Sequence, residues 1–272
     1  MTGSARLDQY LVARGLARAR NQARELIRAG QVTVDGQVVT KPSYAVRPEL
    51  HLEVTATGRR WVGRGALKLL RALELWSGQG LDVPGRRCLD VGASTGGFTQ
   101  VLLEHGAGHV TALDVGHGQL AALLAADPRV RDLPGTNIRG VSGCDLDGPF
   151  SLIVSDLSFI SLTIALPHMV PLLDRPGDMV VLVKPQFEVG RGHLARGGVV
   201  READDHRRAL SAVLDTVDEL DLAIRGLDDS GLPGAHGNVE YLLWLDRGGP
   251  GMMSADERTA RIEELTQEKE SR

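Results

Sequence analysis

The stretch Arg87-Cys88-Leu89-Asp90-Val91-Gly92-Ala93-Ser94-Thr95-Gly96-Gly97-Phe98-Thr99 decides how this chain is read. Residues 88–91 form a short apolar run of the kind found in a buried strand. That run enters a turn with glycines at 92, 96 and 97, and a helical pattern follows. Glycine allows positive φ and lets a ligand lie against the main chain. The helix beyond aims its unpaired N–H groups at whatever occupies the turn. Asp114 closes the next strand pattern, at 109–114. An acidic group about 20 residues past such a turn is placed to hold ribose hydroxyls. The spacing is not G-x-G-x-x-G, so a dinucleotide fits poorly and a nucleoside fits better.

Strand and helix patterns alternate on both sides of this stretch, which predicts a parallel sheet between helices. Strands are expected near 87–91, 109–114, 129–133, 150–155, 178–183, 222–227 and 239–245. Helices are expected near 98–105, 117–126, 160–173 and 203–220. No helix pattern joins the last two strands, so an antiparallel pairing is expected there. Four regions follow: 1–58, a linker at 59–65 holding Trp61, a main domain at 66–247, and a C-terminal tail at 248–272. The tail carries a capping box, Ser254 to Glu257, that starts a short polar helix.

The first region reads as two short helices stopped by Gly15 and Gly30, then a hairpin over Gln31-Val32-Thr33-Val34-Asp35-Gly36-Gln37-Val38-Val39. Leu50, Leu52 and Val54 alternate in a further strand. Arg20, Arg24 and Arg28 recur every fourth residue as a stripe, with Arg14 and Arg18 near the helix junction. For a lone helix a solvated face is the commoner reading. Six arginines and no lysine in the first 30 residues tilt this one towards phosphate, which the planar guanidinium fork suits. The segment resembles the S4 RNA-binding domain, with Arg6-Leu7-Asp8 opening it and Gln31-Val32-Thr33-Val34-Asp35-Gly36 in its hairpin.

A net charge of −4 argues against a general nucleic-acid binder, but the charge is uneven. Residues 1–60 carry 10 basic and 5 acidic side chains; the remainder carries 21 and 30. A basic module joined to a mildly acidic body is the result. Two cysteines make no disulfide framework, and Cys88 reads as a buried small hydrophobe. There is no signal-peptide pattern and no apolar run of about 18 residues, so a cytoplasmic protein outside the membrane is expected. The eight histidines show no metal spacing, and no metal is expected.

Strand ends hold the site in this architecture. Asp90, Asp114, Asn137, Asp156 and Lys184 each fall at or just past one. Asp156 continues as Leu157-Ser158-Phe159, which lacks the Pro-Pro pair used to methylate exocyclic base nitrogens. No cysteine is placed to attack a cytosine ring. Two lysines and two carboxylates would suit a sugar hydroxyl. It gives up its proton reluctantly and needs a base beside it, a part that a lysine can play.

Five motifs now point the same way: Arg64-Gly65-Ala66-Leu67-Lys68-Leu69, the glycine turn to Thr99, Ser155-Asp156-Leu157-Ser158-Phe159-Ile160-Ser161, Leu182-Val183-Lys184-Pro185-Gln186-Phe187-Glu188, and Gly237-Asn238-Val239-Glu240. Over about residues 6–246 the chain resembles the TlyA family, in which an S4 domain precedes an FtsJ-type methyltransferase domain. The resemblance implies a Rossmann-like class I methyltransferase sheet, mostly parallel with the last strand antiparallel, beside a small α+β S4 domain. It implies S-adenosyl-L-methionine-dependent 2'-O-methylation of cytidine in 16S or 23S ribosomal RNA, or in both. The family's Lys-Asp-Lys-Glu set falls on Lys68, Asp156, Lys184 and Glu240, with Lys184 as the base. Cofactor contacts are expected from Asp90, Gly92, Ala93, Ser94, Thr95, Gly96, Gly97, Phe98, Asp114, Asn137 and Asp156. RNA contacts are expected from Arg6, Arg14, Arg18, Arg20, Arg24, Arg28, Arg64, Arg191 and Arg196, the last two in a glycine-rich loop at 186–200. Ribosomal RNA or ribosomal subunits are the expected partners. The sequence does not specify an oligomeric state, and a monomer is the working expectation.

Two other readings are weighed. A non-catalytic RNA-binding or ribosome-assembly factor could keep this fold, but it would not need all four of the Lys-Asp-Lys-Glu residues. Family members are also labelled haemolysins, a label that the lack of a membrane segment leaves without physical support.

Overall fold

The computed structural model describes residues 5–17, 20–28, 30–47, 50–54, 61–195, 197–234, 237–249 and 253–267. The chain divides into two units, residues 1–60 and 61–272.

The small unit runs β1 (Ala5–Arg6), α1 (Leu7–Ala13), α2 (Arg20–Arg28), β2 (Val32–Val34), β3 (Gln37–Val38), β4 (Ala45–Val46) and β5 (Leu52–Val54). β2 lies between β3 and β5, antiparallel to both, and β1 pairs with β4. Asp35 and Gly36, at φ 49° and 79°, close the β2–β3 hairpin as its two central residues. The predicted alternation starts later than expected, since Leu50 precedes the strand. Leu7, Leu11, Ala23, Ile27, Val32 and Val46 form a fully buried core.

The large unit runs α3 (Ala66–Trp76), β6 (Arg87–Val91), α4 (Gly97–Glu104), β7 (His109–Asp114), α5 (Ala122–Ala125), β8 (Val130–Pro134), α6 (Gly143–Leu146), β9 (Phe150–Ser155), α7 (Leu162–Met169), β10 (Leu173–Val183), α8 (Pro185–Glu188), α9 (Ala203–Glu219), β11 (Ala223–Asp229), β12 (Tyr241–Asp246) and α10 (Ala255–Gln267). Its seven strands are ordered β11-β12-β10-β9-β6-β7-β8. All neighbours are parallel except β12, which is antiparallel to both β10 and β11. Side chains of β6 alternate across the sheet. Leu89 and Val91 join a core with α7, α9 and α10, while Cys88 joins one with α3 and α4. Burial pushes the Cys88 thiol up to about 12, as suits a packing residue.

Four expectations need correction. Of the helix expected over 117–126, only α5 forms, because Gly118 takes φ 60° and Gln119 folds back to Ser94. The helix expected over 160–173 ends at Met169 and passes into a 3-10 turn containing Pro171. β10 consequently begins at Leu173 rather than near 178 and carries a register shift before Asp178. Residues 61–65 fold with the large unit: Trp61 and Val62 pack on its core, and Val62 N–H donates to Gln100 Oε1 at 2.8 Å. The terminal helix α10 buries Ile262 and Leu265 in the same unit. Among the described residues, no helix is long and apolar enough to cross a membrane.

Candidate active site

β6 is the switch point of the sheet, since the chain continues to β7 and β8 on one side and to β9 and β10 on the other. A crevice opens beyond the strand ends at such a point. The glycine turn lies there. Gly92 takes φ 86°, and a Cβ at that position would press within 3.2 Å of the Asp156 carbonyl. A cavity of about 710 Å³ follows the turn and is lined by Gly92, Ala93, Ser94, Thr95, Gly97 and Phe98.

Strand geometry brings the ionic residues to this rim. Asp156 follows β9 and Lys184 follows β10. β12 runs the other way, so its first residue, Tyr241, pairs with Val183, and Glu240 just before it reaches the same edge. Lys68 comes from the first turn of α3, as its third residue. Lys184 Nζ lies 2.6 Å from Asp156 Oδ1 and donates to Ser158 Oγ at 3.0 Å. Lys68 Nζ lies 3.7 Å from Asp156 Oδ2 and donates to Glu240 Oε2. Two ammonium groups and two carboxylates thus alternate in one connected, largely buried set. Gly234 packs directly on the Glu240 carboxylate, where a side chain would displace it.

The other expected cofactor residues divide. Asp90 borders the cavity, but its Oδ2 accepts from Thr99 N–H at 2.9 Å and Thr99 Oγ1 at 2.7 Å. Burial pushes the Asp90 carboxyl up to about 7, against the bonds from Thr99. Gly96 turns towards Leu120 and Leu124 instead of the cavity. Asp114 is not on the cavity wall. Its Oδ2 accepts from Ser94 N–H at 2.8 Å and its Oδ1 from Gly116 N–H at 2.7 Å, which ties the glycine turn to the next loop. Asn137 is also off the wall and caps a 3-10 turn by accepting from Arg139 N–H.

Of the expected RNA contacts, Arg64 is exposed on the cavity wall. Arg28 is exposed, and Arg14 lies 5.8 Å from the Tyr10 ring. Arg6, Arg20 and Arg24 are drawn together on Asp8. Arg18, Arg196 and the side chain of Arg191 lie outside the described residues. The loop at 186–200 is partly organised. Asn238 Oδ1 accepts from Val200 N–H at 3.0 Å, and Asn238 Nδ2 donates to Gly198 O at 3.0 Å.

Several wall residues carry no expectation from sequence, among them Ser158, Phe159, Gln186, Phe187 and Asn238. All lie within the quoted motifs, which was the available signal. The Phe159 side chain is 93% exposed and its backbone sits at φ 67°. Its ring lies 5.4 Å from that of Phe187.

Residues 61–247 match the family described as FtsJ-like methyltransferase, and residues 5–52 match the S4 domain. The chain is 52% identical over 246 residues to the 16S/23S rRNA (cytidine-2'-O)-methyltransferase TlyA of Mycobacterium tuberculosis, covering 90% of this chain and 91% of that protein. The chain belongs to the TlyA family. Another member, Hemolysin A of Brachyspira hyodysenteriae, is 37% identical across 87% of this chain and 98% of its own length. The solved structure of a protein assigned as a hemolysin from Streptococcus thermophilus covers both chains completely, at 34% identity and a TM-score of 0.74. The TlyA-family membership accounts for both units, and the fold is the one expected for it.

Proposed function

We propose that this chain methylates the ribose 2'-hydroxyl of a cytidine in ribosomal RNA, with S-adenosyl-L-methionine as donor, in the cytoplasm where ribosomes are made. Residues 1–58 serve RNA docking and 66–247 catalysis. The observation that carries the reading is the convergence of Lys68, Asp156, Lys184 and Glu240 on the cavity that the glycine turn opens. The family relatives named for the same reaction support it.

The residues present fit the donor. The cavity is of nucleoside size, and its floor is bare backbone at Gly92. Two buried acceptors on its wall, Asp90 Oδ1 and Gln186 Oε1, have no hydrogen-bond partner among the described residues. Gly92, Ala93, Ser94, Thr95, Gly97 and Phe98 would hold the cofactor, with Asp90 behind them. When bound, it supplies a methyl group on a sulfonium, an electrophile for oxygen.

The chain's own groups do the rest. Lys184 Nζ, after giving up its own proton to solvent, takes the proton of the 2'-hydroxyl as the oxygen bonds to the methyl carbon, and the bond from that carbon to the donor's sulfur breaks. Asp156 and Ser158 hold that nitrogen in place. Lys68, steered by Glu240, sets a second cation beside the oxygen as negative charge develops there. Holding the nucleophile in line with the methyl carbon is the larger contribution, worth several kcal/mol at best.

The test is transfer of label from methyl-tritiated S-adenosylmethionine to ribosomal RNA by the purified chain. Reverse-transcription stops at low dNTP, compared between cells with and without the gene, locate the nucleotide. Absence of label in both ribosomal RNAs would reduce the protein to an RNA-docking factor.

A further inference from the structure

Asp8 is a carboxylate with no solvent exposure in the small unit. Arg6 grips it with both edges of its fork, Nε to Oδ1 at 3.0 Å and Nη2 to Oδ2 at 3.1 Å. Arg20 Nε and Arg24 Nε each donate to Oδ2 at 3.1 Å. These bonds come from β1 and from two positions one turn apart on α2. The three arginine side chains remain 38% to 46% exposed. Without Asp8, three like charges at this spacing would drive one another apart into separate solvated rotamers. With it, the cluster carries a surplus of two positive charges. Among the described contacts, Arg20 and Arg24 hold Asp8 through Nε.

We propose that Asp8 is a positioning residue for RNA binding: it gathers Arg6, Arg20 and Arg24 into one preorganised fork cluster on which backbone phosphates dock. The proposal rests on the reading of the small unit as the RNA-docking part. Asp8 is sealed from solvent, so it acts through the arginines and touches no RNA itself. Forks already held in one orientation lose less freedom when they grip a phosphate than free side chains do.

Charge counting and positioning predict opposite signs, which makes the proposal testable. Asp8→Asn removes a negative charge, so attraction by net charge alone would tighten binding to RNA. Positioning predicts weaker binding, by about tenfold at physiological salt, with the slope of log affinity against log salt reduced by about 1. The measurement is filter binding of the full chain to purified ribosomal RNA over a salt series, with circular dichroism as the check on folding. Binding that is equal or tighter in Asp8→Asn overturns the proposal.

Arg6→Ala/Arg20→Ala/Arg24→Ala tests the underlying reading. It should lower affinity about a hundredfold, and an unchanged affinity would overturn RNA docking by this unit altogether. If Asp8→Asn does not fold, Arg20→Lys/Arg24→Lys decides instead. It keeps every charge but loses the planar forks. A loss of about fivefold or more supports positioning, and unchanged binding overturns it.

Discussion

Asp8 and Asp90 are both fully buried, one in each unit, yet their chemistry diverges. Asp8 is surrounded by guanidinium groups. The bidentate bond from Arg6, reinforced by Arg24 and Arg20, holds its carboxyl well below the usual carboxylate range and outweighs burial. Among the described residues Asp90 accepts bonds from Thr99 alone, which is neutral, so burial prevails and its carboxyl rises to about 7. Burial raises a carboxyl unless charged partners outweigh it, as the guanidinium groups do at Asp8 and the neutral Thr99 does not at Asp90. The contrast extends to the surroundings of the two carboxyls. The Asp8 cluster is satisfied internally and presents surplus positive charge outwards. On the cavity wall of the large unit, Asp90 Oδ1 and Gln186 Oε1 have no hydrogen-bond partner among the described residues. The Lys68–Asp156–Lys184–Glu240 set lies between these extremes, buried like Asp90 and ion-paired like Asp8.

The largest expected effect comes from breaking that balanced set at its proposed base. Lys184→Ala should lower methyl transfer by about a thousandfold or more while leaving binding of S-adenosylhomocysteine by calorimetry unchanged. Transfer at the parental rate would remove Lys184 from the chemistry. Next is Glu240→Gln, which leaves the Lys68 ammonium buried with only Asp156 at 3.7 Å. Breaking a buried pair on one side costs about 3 kcal/mol. All three tryptophans, Trp61, Trp76 and Trp244, lie in the large unit, so their fluorescence during urea unfolding reads this directly. An unchanged midpoint would mean that the pair is open to water.

Asp90 supplies a pH test with a definite sign. Its carboxyl ionises near 3.9 in the unfolded chain and near 7 in the folded one. Between those values the folded state binds more protons, so stability falls as pH rises. From pH 5 to pH 7 the large unit should lose about 2 kcal/mol, and Asp90→Asn should abolish that slope. Asp8 behaves in the opposite sense. Its contribution is complete above about pH 4 and is lost only as pH falls through its lowered value, so Asp8→Asn should shift stability by a constant amount across the same window. A sloping difference for Asp8→Asn, or none for Asp90→Asn, would collapse the contrast between the two carboxyls.

The sheet was legible because its signals are local. The apolar runs ending at Val91, Asp114, Ser155 and Val183 are the strands, and the polar residues after β9 and β10 reach the site. What failed was local pattern against a particular glycine or proline. Gly118 stopped a helix that Leu120 to Leu124 would otherwise have extended, and Pro171 ended another. Asp114 and Asn137 were correctly placed at strand ends, but which way a short polar side chain bonds depends on neighbouring amides such as Ser94 and Gly116. The Arg20 and Arg24 stripe was visible. Its collection on Asp8 was not, because contacts 12 and 16 residues apart in sequence leave no periodic trace.

Phe159 extends the comparison from charge to backbone. A bulky residue at φ 67° is strained by about 1–2 kcal/mol, and a ring that is 93% exposed returns little of that through packing. Asp8 is compensated by three arginines; Phe159 has the tilted ring of Phe187 beside it. The uncompensated cost lies on the cavity wall, beside the Ser158 that anchors Lys184. A planar base stacking on the ring would offset it. At an ordinary exposed site alanine is more stable than glycine. Here the order should reverse, with Phe159→Gly more stable than Phe159→Ala by about 1 kcal/mol, read from the same fluorescence transition. Both variants remove the ring, so both should lose about tenfold in kcat/KM for ribosomal RNA. If the ring carried no contact with RNA, both would methylate at the parental rate. If the strain were not real, the ordinary order of alanine over glycine would return.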